Sequence, residues 1–254
     1  MSGTHLHVLH VHGHSPVHRL APEVKVVAML AFVVGVVATP REALWAFAIH
    51  AFFLVAVISF AELPFGFVFR RMMIEVPFVA FAVALPFLGG GPRIEVAGVL
   101  VSLEGLWGAW NILAKGTLGV GASVVLVATT EIPEILRGLD RLRVPRLLTS
   151  VAGFMIRYIE VLASELRRTR TAMASRGHDA RWLWQVGPLA ASAGALFVRS
   201  YERGERVYQA MLSRGYDGTM PQLDERRARG TEWAAALGLP LTTWMVALLA
   251  IVGS

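Results

Sequence analysis

Two short stretches in the C-terminal half of the chain repeat the same residues. Positions 172–180 and 210–218 carry identical Ala, Met, Ser, Arg, Gly and Asp at six of nine places. An amphipathic helical pattern precedes each stretch, and a glycine stands where a helix end needs a left-handed residue. The preceding arginine projects five donors beyond the helix, a chemistry suited to binding carboxylates. The candidate site is two matched triplets: Ser175, Arg176, Gly177, Ser213, Arg214 and Gly215.

Each triplet also has a simpler interpretation, an ordinary helix C-cap. Two copies with the same flanking residues favour a shared function, so we expect Arg176 and Arg214 to enter acidic grooves on a partner. A membrane-bound enzyme that uses His178 and Asp179 as an acid–base pair is an alternative. Adjacent residues on a helix or turn rarely face each other. Because Tyr216 also replaces the histidine in the second copy, the sequence disfavours that enzyme.

Imidazole side chains crowd the start of the chain and could hold a divalent ion such as zinc, cobalt, nickel or copper loosely. The chain has no cysteine, and no carboxylate precedes Glu23, so no closed metal site is indicated. A polar, partly protonated tail without metal is the equal alternative. A metallopeptidase is not supported, since His-Glu-x-x-His is absent. The weak candidate ligands are His5, His7, His10, His12, His14 and His18.

The composition indicates a membrane protein with one charged part. Hydrophobic residues make up 55% of the 254 residues and charged residues 17%, whereas soluble domains have close to half and about a quarter. The formal net charge of +6 would suit nucleic acid if it were evenly spread. Instead, 17 of the 24 Lys and Arg residues lie within 131–230. That clustering is typical of the cytoplasmic side of a membrane protein, and we expect no nucleic-acid partner.

The elements that must position the two triplets are helices. We predict an all-α polytopic membrane protein with about five transmembrane helices and a cytoplasmic coupling domain of amphipathic helices. An apolar piece within 144–155 is too short to span alone, and residues 93–104, a short hairpin or an interfacial turn, stay unassigned. Lys115 lies inside the fourth span, and we expect it to be structural, amid glycine-rich helix packing. The predicted spans are 22–39, 43–60, 72–88, about 106–129 and 233–252.

Charge asymmetry predicts the orientation and the domain organisation. With five spans and a cytoplasmic N-terminus, 21 basic residues fall on the inner side and two on the outer side. We therefore place the N-terminus and the coupling domain in the cytoplasm of a cell-membrane protein. The predicted division is a His-rich tail (1–21), transmembrane helices 1–4 (22–130), a coupling domain with two long helices (131–230) and a C-terminal transmembrane helix (231–254).

Several short motifs along the chain resemble one known family, the transmembrane T component of energy-coupling factor transporters, especially its cobalt-type members. The resemblance covers the chain from Ser15 to Gly218, and the paired Arg-Gly ends are its most specific part. The other motifs are Ser15-Pro16-Val17-His18-Arg19-Leu20-x-Pro22-x-x-Lys25, Thr129-Thr130, Arg143-Val144-Pro145 and Arg157-Tyr158.

The resemblance implies a non-catalytic subunit that couples two cytosolic ABC-type ATPase subunits to a substrate-capture membrane subunit within the lipid bilayer. The family's Ala-Arg-Gly ends contact the ATPases; here Ser175 and Ser213 replace Ala, and Lys115 stands where Arg is common. The chain itself would bind no cofactor, ATP and Mg would sit on the partners, and the P-loop pattern is absent. Cobalt or nickel is the expected transported ion, ahead of a vitamin. A membrane adaptor that binds acidic lipid is the alternative.

Overall fold

The computed structural model describes residues 13, 15–96, 99–177, 187–218 and 228–253. Within them the chain forms helices joined by short turns, one 3-10 turn and one small hairpin, so the predicted all-α membrane class is confirmed. The elements are α1 (Pro16–Arg19), α2 (Pro22–Ala38), α3 (Leu44–Phe60), α4 (Phe65–Met72), the 3-10 turn Met73–Glu75, α5 (Val76–Leu88), β1 (Arg93–Val96), β2 (Val99–Ser102), α6 (Leu103–Thr129), α7 (Ile132–Arg141), α8 (Arg146–Ser175), α9 (Gly187–Leu212) and α10 (Gly230–Val252).

The chain divides into two compact units. One contains residues 143–225, and the other contains residues 2–142 together with 226–254. The predicted coupling domain begins earlier, at residue 131, but α7 belongs to the other unit because it packs against α2. Gly138 of α7 lies against the backbone of α2, and a Cβ there would come within 2.9 Å of the Glu23 nitrogen. As a division by function, the four predicted domains stay a prediction.

The larger unit is built around α2, which packs against α6, α7 and α10. Its buried core is apolar and comes from α2, α3, α4 and α6. Small residues allow the closest approaches: a Cβ on Gly35 would meet Thr243 Cγ2 of α10 at 2.7 Å, and one on Gly121 would meet Leu54 Cδ2 of α3 at 2.7 Å. Such contacts stabilise membrane helix pairs, which lack a hydrophobic driving force between them. The core residues are Phe32, Val36, Phe47, Leu54, Ile58, Ala61, Leu63, Val68, Leu118, Ala122, Val125 and Ala128.

The third hydrophobic stretch begins earlier than predicted. We expected a helix from residue 72, but α4, the 3-10 turn and α5 form one continuous helical stretch, Phe65–Leu88. Pro77 occupies the first turn of α5, directly after the 3-10 turn, a position in which proline is common. The arginine pair Arg70 and Arg71, which we expected to precede the span, instead lies inside α4.

β1 and β2 pair as a two-stranded antiparallel hairpin in which Arg93 lies opposite Ser102. Ser102 also joins the hairpin to α6. Its hydroxyl accepts a hydrogen bond from the Gly105 N–H at 3.1 Å and donates one to the Gly90 carbonyl at 2.5 Å. Of the two possibilities left open for this segment, the structure has the hairpin.

Among the described residues, four helical stretches are long and apolar enough to cross a membrane: Phe65–Leu88, α6, α8 and α10. α2 and α3 have 17 residues each, about 25 Å of helix, at the lower limit for a span. α8 was not among the predicted spans. Its apolar start, judged too short alone, continues unbroken into a 30-residue helix, so that length argument is wrong. The cytoplasmic location of α8 stays a prediction.

The smaller unit consists of α8 and α9, which pack against each other. Glu165 of α8 forms ion pairs with Arg199 and Arg203 of α9, each at 3.2 Å. Further along α8, Met173 Sδ accepts a hydrogen bond from Ser192 Oγ of α9 at 3.6 Å. Later residues of α8 thus meet earlier residues of α9, so the two helices run antiparallel where they touch.

Candidate functional site

The end of α8 has the geometry that the first triplet predicts. Arg176 is the C-cap, with φ −91° and ψ 11°, and its N–H donates to the Met173 carbonyl at 3.0 Å. Gly177 follows with φ +79°, and its N–H donates to the Ala174 carbonyl at 3.0 Å. A side chain on any other residue would strain this left-handed backbone. The helix therefore stops directly after the arginine, whose side chain is exposed.

The end of α9 repeats the arrangement. Arg214 N–H donates to the Met211 carbonyl and Gly215 N–H to the Leu212 carbonyl, both at 3.0 Å. Gly215 has φ +81°, and the next N–H, from Tyr216, also reaches the Met211 carbonyl at 3.0 Å. The bond from Tyr216 N–H to the Met211 carbonyl and the bond from Gly215 N–H to the Leu212 carbonyl together form the Schellman pattern of a glycine-terminated helix. Matching sequence thus produces matching local structure at two places.

The serine of each triplet turns back onto its own helix. Ser175 Oγ donates to the Thr171 carbonyl at 3.0 Å, and Ser213 Oγ donates to the Gln209 carbonyl at 2.7 Å. Both hydroxyls are therefore satisfied by backbone one turn earlier. These positions can therefore hold Ser without leaving a polar group that competes with the arginine.

Both arginines are exposed and available for a partner. All six residues of the triplets are exposed, and within the described part of the chain neither Arg176 nor Arg214 has a hydrogen-bond or ion-pair partner for its guanidinium. A Cβ at either glycine would meet nothing within 4 Å, so the surroundings of both ends are open. What the two guanidiniums contact in a complex stays a prediction.

The two arginine ends are far apart along α9. Ser192 contacts Met173, in the last turn of α8 before Arg176. The stretch from Ser192 to Arg214 corresponds to about 33 Å of helix. A single small groove cannot hold both guanidiniums. The arrangement therefore suits two separate binding sites on one partner or one site on each of two partners.

A buried polar cluster surrounds the first turn of α2. Lys25 Nζ donates to the His18 carbonyl at 3.0 Å, the Thr129 carbonyl at 2.9 Å and Thr130 Oγ1 at 3.1 Å. The ammonium thereby connects α1, α2 and the end of α6. This contact gives a physical role to two of the short motifs, the one that ends in Lys25 and Thr129-Thr130.

A carboxylate two positions before this lysine holds two further elements. Glu23, 5% exposed, pairs with Arg141 of α7 at 3.2 Å and accepts the Ala228 N–H, just before α10, at 3.0 Å. We did not single out Glu23 or Arg141 from the sequence. The available signal was an acidic residue placed at the start of an apolar helix, where a charge needs a partner.

Lys115 lies within α6, and its Nζ donates to the Val37 carbonyl at 2.8 Å in the last turn of α2. This bond uses a carbonyl that the helix end leaves without an intrahelical partner. The placement supports the structural role that we expected of Lys115. Nearby, Glu75 is 5% exposed and accepts a hydrogen bond from Thr117 Oγ1 at 3.1 Å, a buried carboxylate that sequence reasoning missed.

Most of the other candidate residues fall outside the described residues. Those are five of the six histidines, His5, His7, His10, His12 and His14, and the rival pair His178 and Asp179. His18 is described, and its Nδ1 lies 2.7 Å from Ser15 Oγ, which caps α1. The described residues contain no group of three or more metal-ligating side chains, and metal binding by the tail stays a prediction.

Comparison with known proteins identifies the family. Residues 13–224 match the family model described as CbiQ, cobalt transport protein. The chain belongs to the CbiQ family. This confirms the family suggested by the Arg-Gly ends and the short motifs. The match includes both triplets, the Lys25 cluster and Lys115.

Relatives of this CbiQ chain are found in bacteria and archaea. It is 28% identical to the cobalt transport protein CbiQ of Rhodobacter capsulatus over 68% of this chain and 86% of that protein. It is 27% identical to the energy-coupling factor transporter transmembrane protein EcfT of Bacillus subtilis, over 82% of this chain and 83% of that protein. A putative fused cobalt transport protein CbiMQ of Methanocorpusculum labreanum is 26% identical over 83% of this chain, which spans 36% of the fused protein's length.

Proposed function

We propose that this chain is the transmembrane coupling subunit of a cobalt-type energy-coupling factor importer. In this proposal two cytosolic ABC-type ATPase subunits bind the ends of α8 and α9. When the ATPases close on nucleotide, they move both helices and transmit that motion to a substrate-capture membrane subunit. Interfaces with two discrete packings convert small local shifts into larger ones in this way.

One observation carries the proposal: two identical arginine ends stand exposed about 33 Å apart on antiparallel helices. Each guanidinium can bind a carboxylate groove with paired hydrogen bonds, and the glycine after it leaves the helix end accessible. Two equivalent contacts at that distance suit two copies of one kind of subunit. A single enzyme site or a single peptide-binding groove would not require the duplication.

The surface of α8 and α9 supports a membrane partner. Their large apolar side chains are exposed to an extent that an isolated soluble surface would not tolerate. Leu147 is 74% exposed, Met155 67%, Phe197 73% and Tyr201 64%. We assign this apolar surface to the substrate-capture subunit and the surrounding lipid.

The proposed cargo is cobalt, with nickel next and a vitamin as the alternative. The family description and the names of two relatives refer to cobalt transport, whereas the Bacillus subtilis relative is named for the energy-coupling factor transporter without a substrate. The His-rich start of the chain favours a metal as well. In this proposal the chain is non-catalytic and holds no cofactor, and ATP and Mg bind to the ATPases.

The orientation belongs to the same proposal. We place the N-terminus and the ends of α8 and α9 on the cytoplasmic side of the cell membrane, where ATPases and ATP are present. The distribution of the 24 Lys and Arg residues supports this orientation, since 17 of them lie within 131–230.

Charge reversal at the two ends tests the coupling function. In the full transporter, the double variant Arg176→Glu with Arg214→Glu should abolish co-purification of the ATPase subunits and lower cobalt uptake about tenfold or more, because each contact is a charged hydrogen bond. Each single variant should lose a similar share, since the two ends have the same backbone geometry and exposure. Uptake of radioactive cobalt into cells and affinity purification of the complex are the measurements.

A matched control separates coupling from lipid binding. Arg168 and Arg206 lie on the same two helices, are exposed, and occupy matching positions of the internal repeat, as Arg176 and Arg214 do. Their double replacement by Glu makes the same charge change and should leave uptake and co-purification intact. An adaptor for acidic lipid would lose vesicle binding equally in both double variants. Unchanged uptake and co-purification with Arg176 and Arg214 reversed would exclude the coupling function.

A further inference from the structure

Glu165 lies between two arginines where α8 meets α9. Its Oε1 is 3.2 Å from Arg199 Nε, and its Oε2 is 3.2 Å from Arg203 Nη2, so each carboxylate oxygen has its own cation. The Glu165 side chain is 15% exposed, the Arg203 side chain 33% and the Arg199 side chain 52%. Among the described residues no other ion pair joins these two helices. The carboxylate is therefore the main polar link between them.

The position of this link follows from the internal repeat. The shift in numbering that superimposes 172–180 on 210–218 also places Glu165 on Arg203. The ion pair thus joins the same position of both copies, with opposite charges. Two antiparallel helices that touch at equivalent positions are related by a local two-fold axis through the contact.

Two helix segments of equal length, which we call the arms, extend from this contact to the two arginine ends: residues 165–176 of α8 and residues 203–214 of α9. Arg176 follows Glu165 at the same interval at which Arg214 follows Arg203. That interval makes about three helical turns and about 16 Å. Each arginine end therefore stands at the same distance and on the same helix face relative to the ion pair.

We propose that Glu165 is the pivot of the two helices, a positioning residue that fixes their crossing and keeps Arg176 and Arg214 equidistant from it. A typical exposed ion pair contributes little, but here one largely buried carboxylate engages two guanidiniums from successive turns of α9. Such a contact resists sliding of one helix along the other and leaves the crossing angle free to change. The part that the pivot plays in transmission rests on the proposed coupling function, whereas the geometry of the pivot does not.

The pivot explains why the two triplets can act together. Two rigid arms of equal length convert equal displacements of two partner subunits into one change of crossing angle. Without a fixed crossing point, displacement of one end would be lost as sliding along the other helix. The two repeated segments and the ion pair then belong to one symmetric helix pair.

Distance measurement between spin labels tests the pivot directly. The chain has no cysteine, so nitroxides attach only at introduced sites, and Ala172→Cys with Ala210→Cys labels equivalent exposed positions on the two arms. In the full-length chain in lipid nanodiscs, we expect one narrow distance. Glu165→Gln should broaden it by about 3 Å, the change in distance when one helix slides along the other by about two residues.

Matched variants make the result specific. Glu202→Gln removes an exposed ion pair with Arg206 within α9 and should leave the distance unchanged. The double variant Arg199→Gln with Arg203→Gln removes the contact from the other helix and should broaden the distance as Glu165→Gln does. Glu165→Arg should also broaden it, and adding Arg199→Glu and Arg203→Glu should restore the narrow distance by reversing all three charges.

An unchanged distance in Glu165→Gln, or a reversed-charge triple variant as broad as Glu165→Arg, would overturn the pivot. The test is independent of the coupling function. Charge reversal at Arg176 and Arg214 should leave the distance narrow while it removes the ATPases. Broadening in Glu165→Gln together with intact ATPase binding in that reversed variant would support the pivot and exclude the coupling function.

Discussion

At the scale of single residues, the two helix ends show that the glycines are required for their conformation and not for space. Gly177 and Gly215 have φ of +79° and +81°, while a Cβ at either position would touch nothing within 4 Å. The left-handed conformation is easily adopted only by glycine and costs other residues about 1–2 kcal/mol. The glycine thus determines where the helix stops and places the arginine at the helix end.

Replacement of Gly177 by Ala should therefore loosen the end of α8 without any steric clash. We expect a cost of about 1 kcal/mol and faster hydrogen exchange at the amides of Arg176 and Gly177, which bond the carbonyls of Met173 and Ala174. Hydrogen exchange followed by mass spectrometry measures this. Gly194 is a control inside α9 with open space around it, where Ala should stabilise the helix by about 0.5–1 kcal/mol. Equal effects at both glycines would contradict the conformational argument.

Residue types at the candidate site were predictable from the sequence, but their long-range partners were not. The triplets can be recognised in the sequence because they are repeated and because a glycine follows each arginine. The pairing of Glu23 with Arg141 joins residues far apart in the chain, and no local pattern specifies it. The pairing of Glu165 with Arg203 was partly predictable. Extending the internal repeat backwards would have aligned them, but alignment alone does not reveal a contact.

At the scale of elements, the first turn of α2 is the junction of the larger unit. Lys25 is 7% exposed and donates to oxygens at the end of α1 and the end of α6, while Glu23 binds α7 and the backbone just before α10. The helix ends that meet here expose carbonyl groups without intrahelical partners. Lys25 donates to the carbonyls of His18 and Thr129, whereas Glu23 accepts the Ala228 N–H and pairs with Arg141. Both charged side chains are buried, and this makes the loss of either partner costly.

Replacement of Lys25 by Met should destabilise the larger unit. Met has a similar length but donates no hydrogen bond, so the buried Thr129 carbonyl and the part-buried His18 carbonyl lose their donor, at a cost of about 3 kcal/mol. The apparent unfolding midpoint in detergent should fall accordingly. Arg41→Met is the control, because the ion pair of Arg41 is with its exposed neighbour Glu42, and it should change nothing measurable. Equal unfolding midpoints for the two variants would show that Lys25 does not stabilise the junction.

Helix boundaries were predicted well where apolar runs have sharp ends and poorly where charge interrupts them. The predicted end of the fourth span at residue 129 coincides with the end of α6. The start of the third stretch was predicted too late, because the span was taken to begin after Arg70 and Arg71. Charged residues on one face of α4 do not break the helix, which includes both arginines. In α8 the apolar start and the charged end were read as separate pieces, although nothing between residues 146 and 175 stops a helix.

At the scale of the whole molecule, α8 presents two conflicting signals. Its first part is apolar enough to cross a membrane, whereas its last part carries Arg167, Arg168 and Arg170. If α8 crossed the bilayer, its two ends would lie on opposite sides. In the proposed function, the ends of α8 and α9 need one compartment that holds both partners. We therefore expect α8 to lie on one side of the membrane, with its apolar surface against lipid or the capture subunit.

Single-cysteine labelling from each side of the membrane decides between these arrangements. Arg146 and Thr171 are both exposed, and they are separated by about 37 Å along α8, which exceeds the roughly 30 Å hydrocarbon core. We expect a membrane-impermeant maleimide to label Arg146→Cys and Thr171→Cys from the cytoplasmic side only, in inside-out vesicles. Glu42→Cys, in the turn between α2 and α3, should react only in right-side-out vesicles. Labelling of Arg146→Cys and Thr171→Cys from opposite sides would make α8 a span, and the two arginine ends could then no longer bind the proposed pair of cytosolic ATPases unless α9 crossed back.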